Sequence, residues 1–165
     1  YPGYGTSQGR SNEKTVFESI DAVYEFITDD LSVPAASIIG YGRSLGGGPT
    51  AYLAARENLG GIILESTFLT AFRVMTRVPL LPWDQFRNLK YSNRFTSPLL
   101  VMHGTEDEVI PFWHGKKLFD QAPQPKSYLW VEGSGHNNLL DFAGQTYWDT
   151  IKEFTKNLES HRSER

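Results

Sequence analysis

Ser37-Ile38-Ile39-Gly40-Tyr41-Gly42-Arg43-Ser44-Leu45-Gly46-Gly47-Gly48 is the stretch that decides how the rest of the chain reads. Ser37 to Tyr41 is a short apolar run with β-branched residues, which predicts a buried strand. A helix is predicted from about Leu45 to Glu57, ending before Gly60-Gly61. Between them, Gly42-Arg43-Ser44-Leu45-Gly46 fits G-x-S-x-G, a pattern that needs a strand directly before it and a helix directly after it. Such a turn is very tight and holds the serine in a strained backbone conformation with its hydroxyl exposed. Gly42 and Gly46 have no side chain, so strand and helix can approach closely. The helix N-terminus then points at the hydroxyl, and its dipole favours developing negative charge. The backbone N–H of Leu45 is the expected oxyanion-hole donor. A bare G-x-S-x-G also occurs as an ordinary glycine-rich turn. Its position between strand and helix, with two more glycines behind it, makes Ser44 the candidate nucleophile.

Upstream, residues 1 to 13 are rich in Gly, Ser and Asn and read as a loop. Val16, Ile20, Val23 and Ile27 recur at helical spacing, so residues 14 to 31 read as a helix that Pro34 closes off. Downstream, Ile62-Ile63-Leu64 gives a second strand ending at Glu65. Pro98 to His103 gives a third, followed by a helix over 112 to 121. Tyr128 to Val131 gives a fourth, followed by a final helix over 139 to 158 and a polar, frayed tail from Glu159 to Arg165. Residues 66 to 96 are irregular, with Phe68, Phe72, Met75, Leu80, Leu81, Trp83 and Phe86 broken by Pro79 and Pro82. They read as a short cap-like excursion made of helical pieces. Its aromatic residues could close an acyl pocket, although plain packing on the body is the favoured reading.

Strand and helix alternate throughout, which predicts an α/β protein with a mostly parallel sheet and helices on both faces. The strands are continuous apolar runs, as strands buried on both faces are. The helix at 14 to 31 requires an earlier parallel strand as its origin, and no such strand is in the chain. The strand at 37 to 41 carries neither charge nor proline to guard an open edge, so it reads as built for a neighbour on each side. The chain is therefore expected to be one domain over 1–165, the C-terminal portion of a fold whose N-terminal strands are missing.

A serine hydroxyl needs a base, and histidine serves best near neutral pH. Of the four histidines, His161 sits in the polar tail, His114 opens a helix and reads as surface or rim, and His103 reads as a structural residue at a strand end. His136, in the loop Gly133-Ser134-Gly135-His136-Asn137 between the last strand and the last helix, is the candidate base. The candidate acid lies in Thr105-Glu106-Asp107-Glu108-Val109-Ile110-Pro111, after the third strand. Asp107 is favoured there, because a short carboxylate is easily fixed in a turn while Glu106 and Glu108 point to water. Glu65, at the end of the second strand, is a second candidate. Ser44, Asp107 and His136 follow the nucleophile–acid–histidine order of one fold. They all fall just after strands, at the carboxyl edge where parallel sheets place ligands. A metal site from His103, Glu106, Asp107, Glu108 and His114 fits no common ligand spacing.

Composition narrows the field. The chain has 165 residues, a formal net charge of -3 and no cysteine, which suits one globular domain and removes disulfides and a thiol nucleophile. Without a basic excess, nucleic acid is not an expected partner. No apolar run approaches the roughly 20 residues of a membrane span, and no signal peptide is visible.

The segments around Ser44, His103-Gly104-Thr105-Glu106-Asp107-Glu108-Val109-Ile110-Pro111 and Trp130-Val131-Glu132-Gly133-Ser134-Gly135-His136-Asn137 together resemble the α/β-hydrolase superfamily. Within it the chain is similar to the Bem46-like group, which includes the alpha/beta hydrolase domain-containing 13 and 17 types. Tyr1-Pro2-Gly3-Tyr4-Gly5-Thr6-Ser7-Gln8-Gly9 resembles the segment those proteins carry after an early strand. The resemblance implies hydrolysis of esters or thioesters through an acyl-enzyme, without a cofactor or metal. Its 17-type members are associated with removal of palmitoyl groups from proteins. The implied partner is thus a small-molecule or lipid-acyl ester or thioester. The implied location is the cytoplasm, or a membrane reached through a missing N-terminus. No motif specifies an oligomeric state. The family also carries a His-Gly stretch, upstream of residue 1, that supplies a second oxyanion donor. Losing one such donor typically costs about 10²–10³ in turnover, so the 165-residue chain alone is expected to be poorly active. The rivals are a serine peptidase or amidase on the same fold, and a non-catalytic binding protein that keeps it.

Overall fold

The computed structural model describes residues 2–70 and 88–163, with backbone only from 159 onward. Four strands form one sheet: β1 (Ile39–Arg43), β2 (Gly61–Glu65), β3 (Leu99–Gly104) and β4 (Lys126–Val131). They lie side by side in chain order and are all parallel, with Gly42 opposite Leu64, Leu64 opposite Val101 and Val101 opposite Tyr128. The helices are α1 (Glu13–Glu25), α2 (Gly47–Ala54), α3 (Asn88–Ser92), α4 (Trp113–Gln121), α5 (Leu139–Ala143) and α6 (Gln145–Ser163).

The central strands β2 and β3 are buried at every residue, which is why they read as unbroken apolar runs. Their side chains alternate between two layers. Ile62, Leu64, Leu99 and Val101 pack with Ala51, Leu53 and Ala54 of α2, backed by Ile20 and Tyr24 of α1 and Phe119 of α4. Ile63, Leu100 and Met102 pack with Leu139 of α5 and Tyr147, Phe154 and Leu158 of α6. Helices therefore cover both faces, as the alternation predicts. Each fully buried aliphatic side chain in these layers contributes roughly 1.5–3 kcal/mol.

Several boundaries differ from the sequence reading. β1 begins at Ile39 rather than Ser37, because the N–H groups of Ser37 and Ile38 are spent on a short 3₁₀ turn, bonded to the carbonyls of Pro34 and Ala35 at 2.7 and 3.0 Å. The strand runs on through Arg43, up to the serine. Among the described residues β1 pairs only with β2, so Tyr41 is 46% exposed rather than buried between two neighbours. β4 starts two residues earlier than expected, at Lys126, whose ammonium caps the end of α4 through the carbonyls of Phe119, Asp120 and Ala122. α1 opens on a capping box between Asn12 and Thr15 and ends in a π turn, Phe26–Asp30. The single final helix is in fact two, broken at Gly144, whose φ of 53° leaves the helical region. The second of them keeps its helical backbone through Ser163, where a frayed tail was expected. Phe72, Met75, Leu80, Leu81, Trp83 and Phe86, with most of the cap-like excursion, lie outside the described residues.

Candidate active site

Because all four strands run the same way, the loops after β1, β3 and β4 share one rim. These loops carry Ser44, Asp107 and His136. At Ser44 the chain leaves β1 and enters a 3₁₀ turn, Ser44–Gly46, that runs straight into α2. The serine has a φ of 51°, a left-handed conformation that costs a non-glycine residue about 1–3 kcal/mol. Gly42 is what lets the turn close. A Cβ there would stand 2.6 Å from the Gly46 carbonyl oxygen and from Thr50 Oγ1, and 2.8 Å from Gly47 Cα. The turn is also pinned from the loop after β2, where the buried Thr67 donates its hydroxyl to the Ser44 carbonyl.

Asp107 sits in a turn that saturates its carboxylate. Oδ1 accepts the backbone N–H of Val109 at 3.0 Å and of Ile110 at 2.7 Å. Oδ2 faces two imidazoles, His136 Nδ1 at 2.8 Å and His103 Nε2 at 3.4 Å. Burial by itself would push this carboxyl up. The hydrogen bonds from His103, Ile110 and His136 outweigh it and hold Asp107 below its ordinary value. Glu106 and Glu108, its neighbours, are exposed.

His136 completes a continuous chain of hydrogen bonds. A carboxylate can only accept, so Nδ1 carries the proton that points at Asp107. In the neutral ring this leaves the Nε2 lone pair facing Ser44 Oγ, 3.0 Å away, as acceptor of the hydroxyl proton. The His136 loop is braced against the Asp107 loop. Thr105 N–H donates to Val131 O at 3.0 Å, Glu106 N–H to Ser134 O at 3.0 Å, and Gly133 N–H to Thr105 Oγ1 at 2.9 Å.

The other candidates fall elsewhere. Glu65 is buried but bound by Arg43, Tyr41 and Tyr147. His103 is buried, and its one Nε2–H is shared between the carbonyl of Ile110 at 2.8 Å and, more weakly, Asp107 Oδ2 at 3.4 Å. His114 is not at the surface or rim: it is 0% exposed, stacks on Trp113, and its Nδ1 accepts the N–H of Leu69 at 3.1 Å. It turns inward because α4 lays its first turn over the loop after β2. The side chain of His161 lies outside the described residues. Among the described residues no group of three or more His, Asp or Glu is placed to hold a metal ion. Arg43, Thr67 and His103 are residues at this site to which sequence reasoning gave no part in positioning the others. Arg43 stands at a variable position of G-x-S-x-G, and only the fold reveals what it reaches.

A parallel sheet wrapped by helices, with these three side chains on the loops at its carboxyl edge, is the arrangement of the α/β-hydrolase fold, and the chain belongs to the α/β-hydrolase superfamily. Within it, the chain is similar to the alpha/beta hydrolase domain-containing protein 17 group: it is 39% identical to protein 17C of Mus musculus over 157 residues, which is 93% of this chain and 48% of that one. The chain thus spans about half the length of the curated relatives it matches. No family model matches. Among solved structures, a monoacylglycerol lipase of Paleococcus ferrophilus superposes with a TM-score of 0.72 at 19% identity, covering 96% of this chain and 81% of that one. An alpha-beta serine hydrolase homologue of Coxiella burnetii superposes with a TM-score of 0.67 at 23% identity, covering 96% and 66%. Among the described residues no helix is long and apolar enough to cross a membrane.

Proposed function

We propose that this chain carries the reacting groups of a serine hydrolase that cleaves carboxylic esters or thioesters through an acyl-enzyme. The observation that supports this reading is the unbroken relay from Ser44 Oγ to His136 Nε2 at 3.0 Å and from Nδ1 to Asp107 at 2.8 Å. His136 takes the Ser44 proton as the oxygen attacks the acyl carbonyl. The Leu45 N–H, at the start of the turn into α2, faces the developing oxyanion. The imidazolium gives its proton to the departing alcohol or thiol. A water then loses a proton to His136 and attacks the acyl-serine, and the returned proton restores Ser44. Asp107 stays ionised throughout, fixing the ring and stabilising its cationic form. No step calls for a cofactor or metal.

The relatives are named as hydrolase-domain proteins and one structural neighbour as a lipase, which favours an acyl substrate. The test is labelling of the full-length protein containing residues 1–165 with a fluorophosphonate probe. Labelling is expected in the native protein and absent in Ser44→Ala. Persistence of the label in Ser44→Ala would remove the proposal. Turnover of an ester, a thioester and an amide with the same acyl group then ranks the leaving groups, and an amide hydrolysed fastest would replace the esterase reading by a peptidase one.

A further inference from the structure

Buried Glu65 has no place in the relay, yet it is held by three side chains, two from β1 and one from α6. Tyr147 of α6 donates to its Oε2 at 2.8 Å, Tyr41 of β1 donates to the same oxygen, and Arg43 Nε donates to Oε1 at 3.1 Å. A carboxylate with 6% of its side chain exposed is costly unless it is paired. Burial is the main cause that pushes the Tyr41 and Tyr147 phenols up, so both remain protonated donors at neutral pH. This cluster is a rigid socket for one end of a guanidinium.

The other end of that guanidinium points at the base. Arg43 Nη2 donates to the backbone carbonyl of His136 itself at 2.8 Å and to Asn137 Oδ1 at 3.0 Å. Arg43 is also bonded covalently to Ser44. The hydrogen bonds between the β3 and β4 loops fix the base relative to the acid. Arg43 fixes it relative to the nucleophile, across 93 residues of sequence.

We propose that Arg43 is a positioning residue that sets the distance between His136 and Ser44, and that Glu65, with Tyr41 and Tyr147, is the anchor that holds Arg43 in that pose. The proposal rests on the reading of Ser44 and His136 as nucleophile and base. A planar fork is required, because it must reach a carboxylate on one side and a carbonyl on the other, and an ammonium is a single point charge. The Arg43 side chain is 42% exposed while that of Glu65 is 6% exposed, so the pair offsets the cost of a buried carboxylate as well as fixing the guanidinium. Its contribution to catalysis is geometric, and a displacement of about 1 Å at a reacting group can cost about 10²-fold in rate.

The experiment is steady-state ester turnover with a melting curve, in the full-length protein, for Arg43→Ala, Arg43→Lys, Glu65→Gln and Ser44→Ala. Arg43→Ala is expected to lower kcat about 10–100-fold with KM within about twofold, the pattern of a lost transition-state alignment. Its melting midpoint should fall by roughly 5–10 °C, because buried Glu65 loses its cation and keeps only the two tyrosine donors, so turnover is compared well below both midpoints. Arg43→Lys should recover less than half of the loss on a logarithmic scale, and ethylguanidinium added to Arg43→Ala should restore turnover while leaving Ser44→Ala inactive. Glu65→Gln, if it folds, should lower kcat as Arg43→Ala does, and the double variant should fall no further. If kcat is unchanged in Arg43→Ala while Ser44→Ala is inactive, the positioning role is refuted and the nucleophile reading stands. If Arg43→Ala loses turnover only together with a collapse of its melting midpoint and no guanidinium rescue, the role is structural and the inference is also refuted. If Ser44→Ala keeps its turnover, the underlying reading fails instead.

Discussion

Thr67 donates its hydroxyl to the carbonyl oxygen of Ser44 across 2.8 Å, from a position that is 1% exposed. The bond crosses from the loop after β2 to the turn after β1 and clamps the peptide of the one residue in that turn with a positive φ. Thr67→Val keeps the shape and removes the donor. The carbonyl also receives the N–H of Gly47, so it keeps one partner, and the expected loss of stability is about 1 kcal/mol. Urea unfolding should show this, and fluorophosphonate labelling should slow, while Thr67→Ser should label like the native protein.

Asp107 faces the Nδ1–H of His136, and an amide in its place can present an N–H instead. Asp107→Asn is therefore expected to turn the imidazole to its other tautomer and lower kcat by about 10⁴. Glu106→Gln and Glu108→Gln, at exposed positions, should leave kcat unchanged. Turnover of a short-chain ester measures all three. Equal losses in the three variants would point to the charge of the loop rather than to one carboxylate.

The pH dependence of stability follows from the same carboxylate. Its value in the folded protein lies below the ordinary 3.8. A carboxyl lowered on folding stabilises the fold at every pH above its unfolded value, and that contribution disappears as pH falls through the folded one. The difference in unfolding free energy between the native protein and Asp107→Asn should be flat from neutral pH down to mild acid, then shift against the native protein below the ordinary carboxylate range. Urea titrations at a series of pH values read this difference directly. A change centred near neutral pH would assign it to another group.

His114 is buried against the loop after β2, where its ring accepts the N–H of Leu69. Removing the ring leaves that buried N–H without this acceptor and opens a cavity. His114→Ala is expected to cost roughly 1–3 kcal/mol from the hydrogen bond alone. The fraction that remains folded should still label with the fluorophosphonate probe, whereas His136→Ala should fold normally and fail to label.

What could be read in advance was what local pattern controls. The apolar runs of β2 and β3 announce strands buried on both faces, and the glycines around Ser44 announce a turn in which a Cβ has no room at Gly42. Asp107 was separable from Glu106 and Glu108 because only a short carboxylate can fold back onto the N–H groups two and three residues on. Side-chain destinations set by tertiary approach were not legible. Nothing near His114 in the sequence says that α4 will press it inward. Nothing near Arg43 says that its guanidinium will span from Glu65 to the carbonyl of His136. The break at Gly144 was missed because an isolated glycine within a helical pattern is usually tolerated.

β4 lies at the edge of the sheet, bonded to β3 alone among the described residues. Proteins open locally and sub-globally at free energies below that of global unfolding, and an edge strand has ladder bonds on one side only. Here such an opening cannot spare the site, because the braces from Thr105 and Glu106 to Val131, Gly133 and Ser134 part with it, and His136 leaves Asp107 in the same event. On the reading of Ser44 and His136 as nucleophile and base, gentle heating is expected to end fluorophosphonate labelling before the core around β2 and β3 melts.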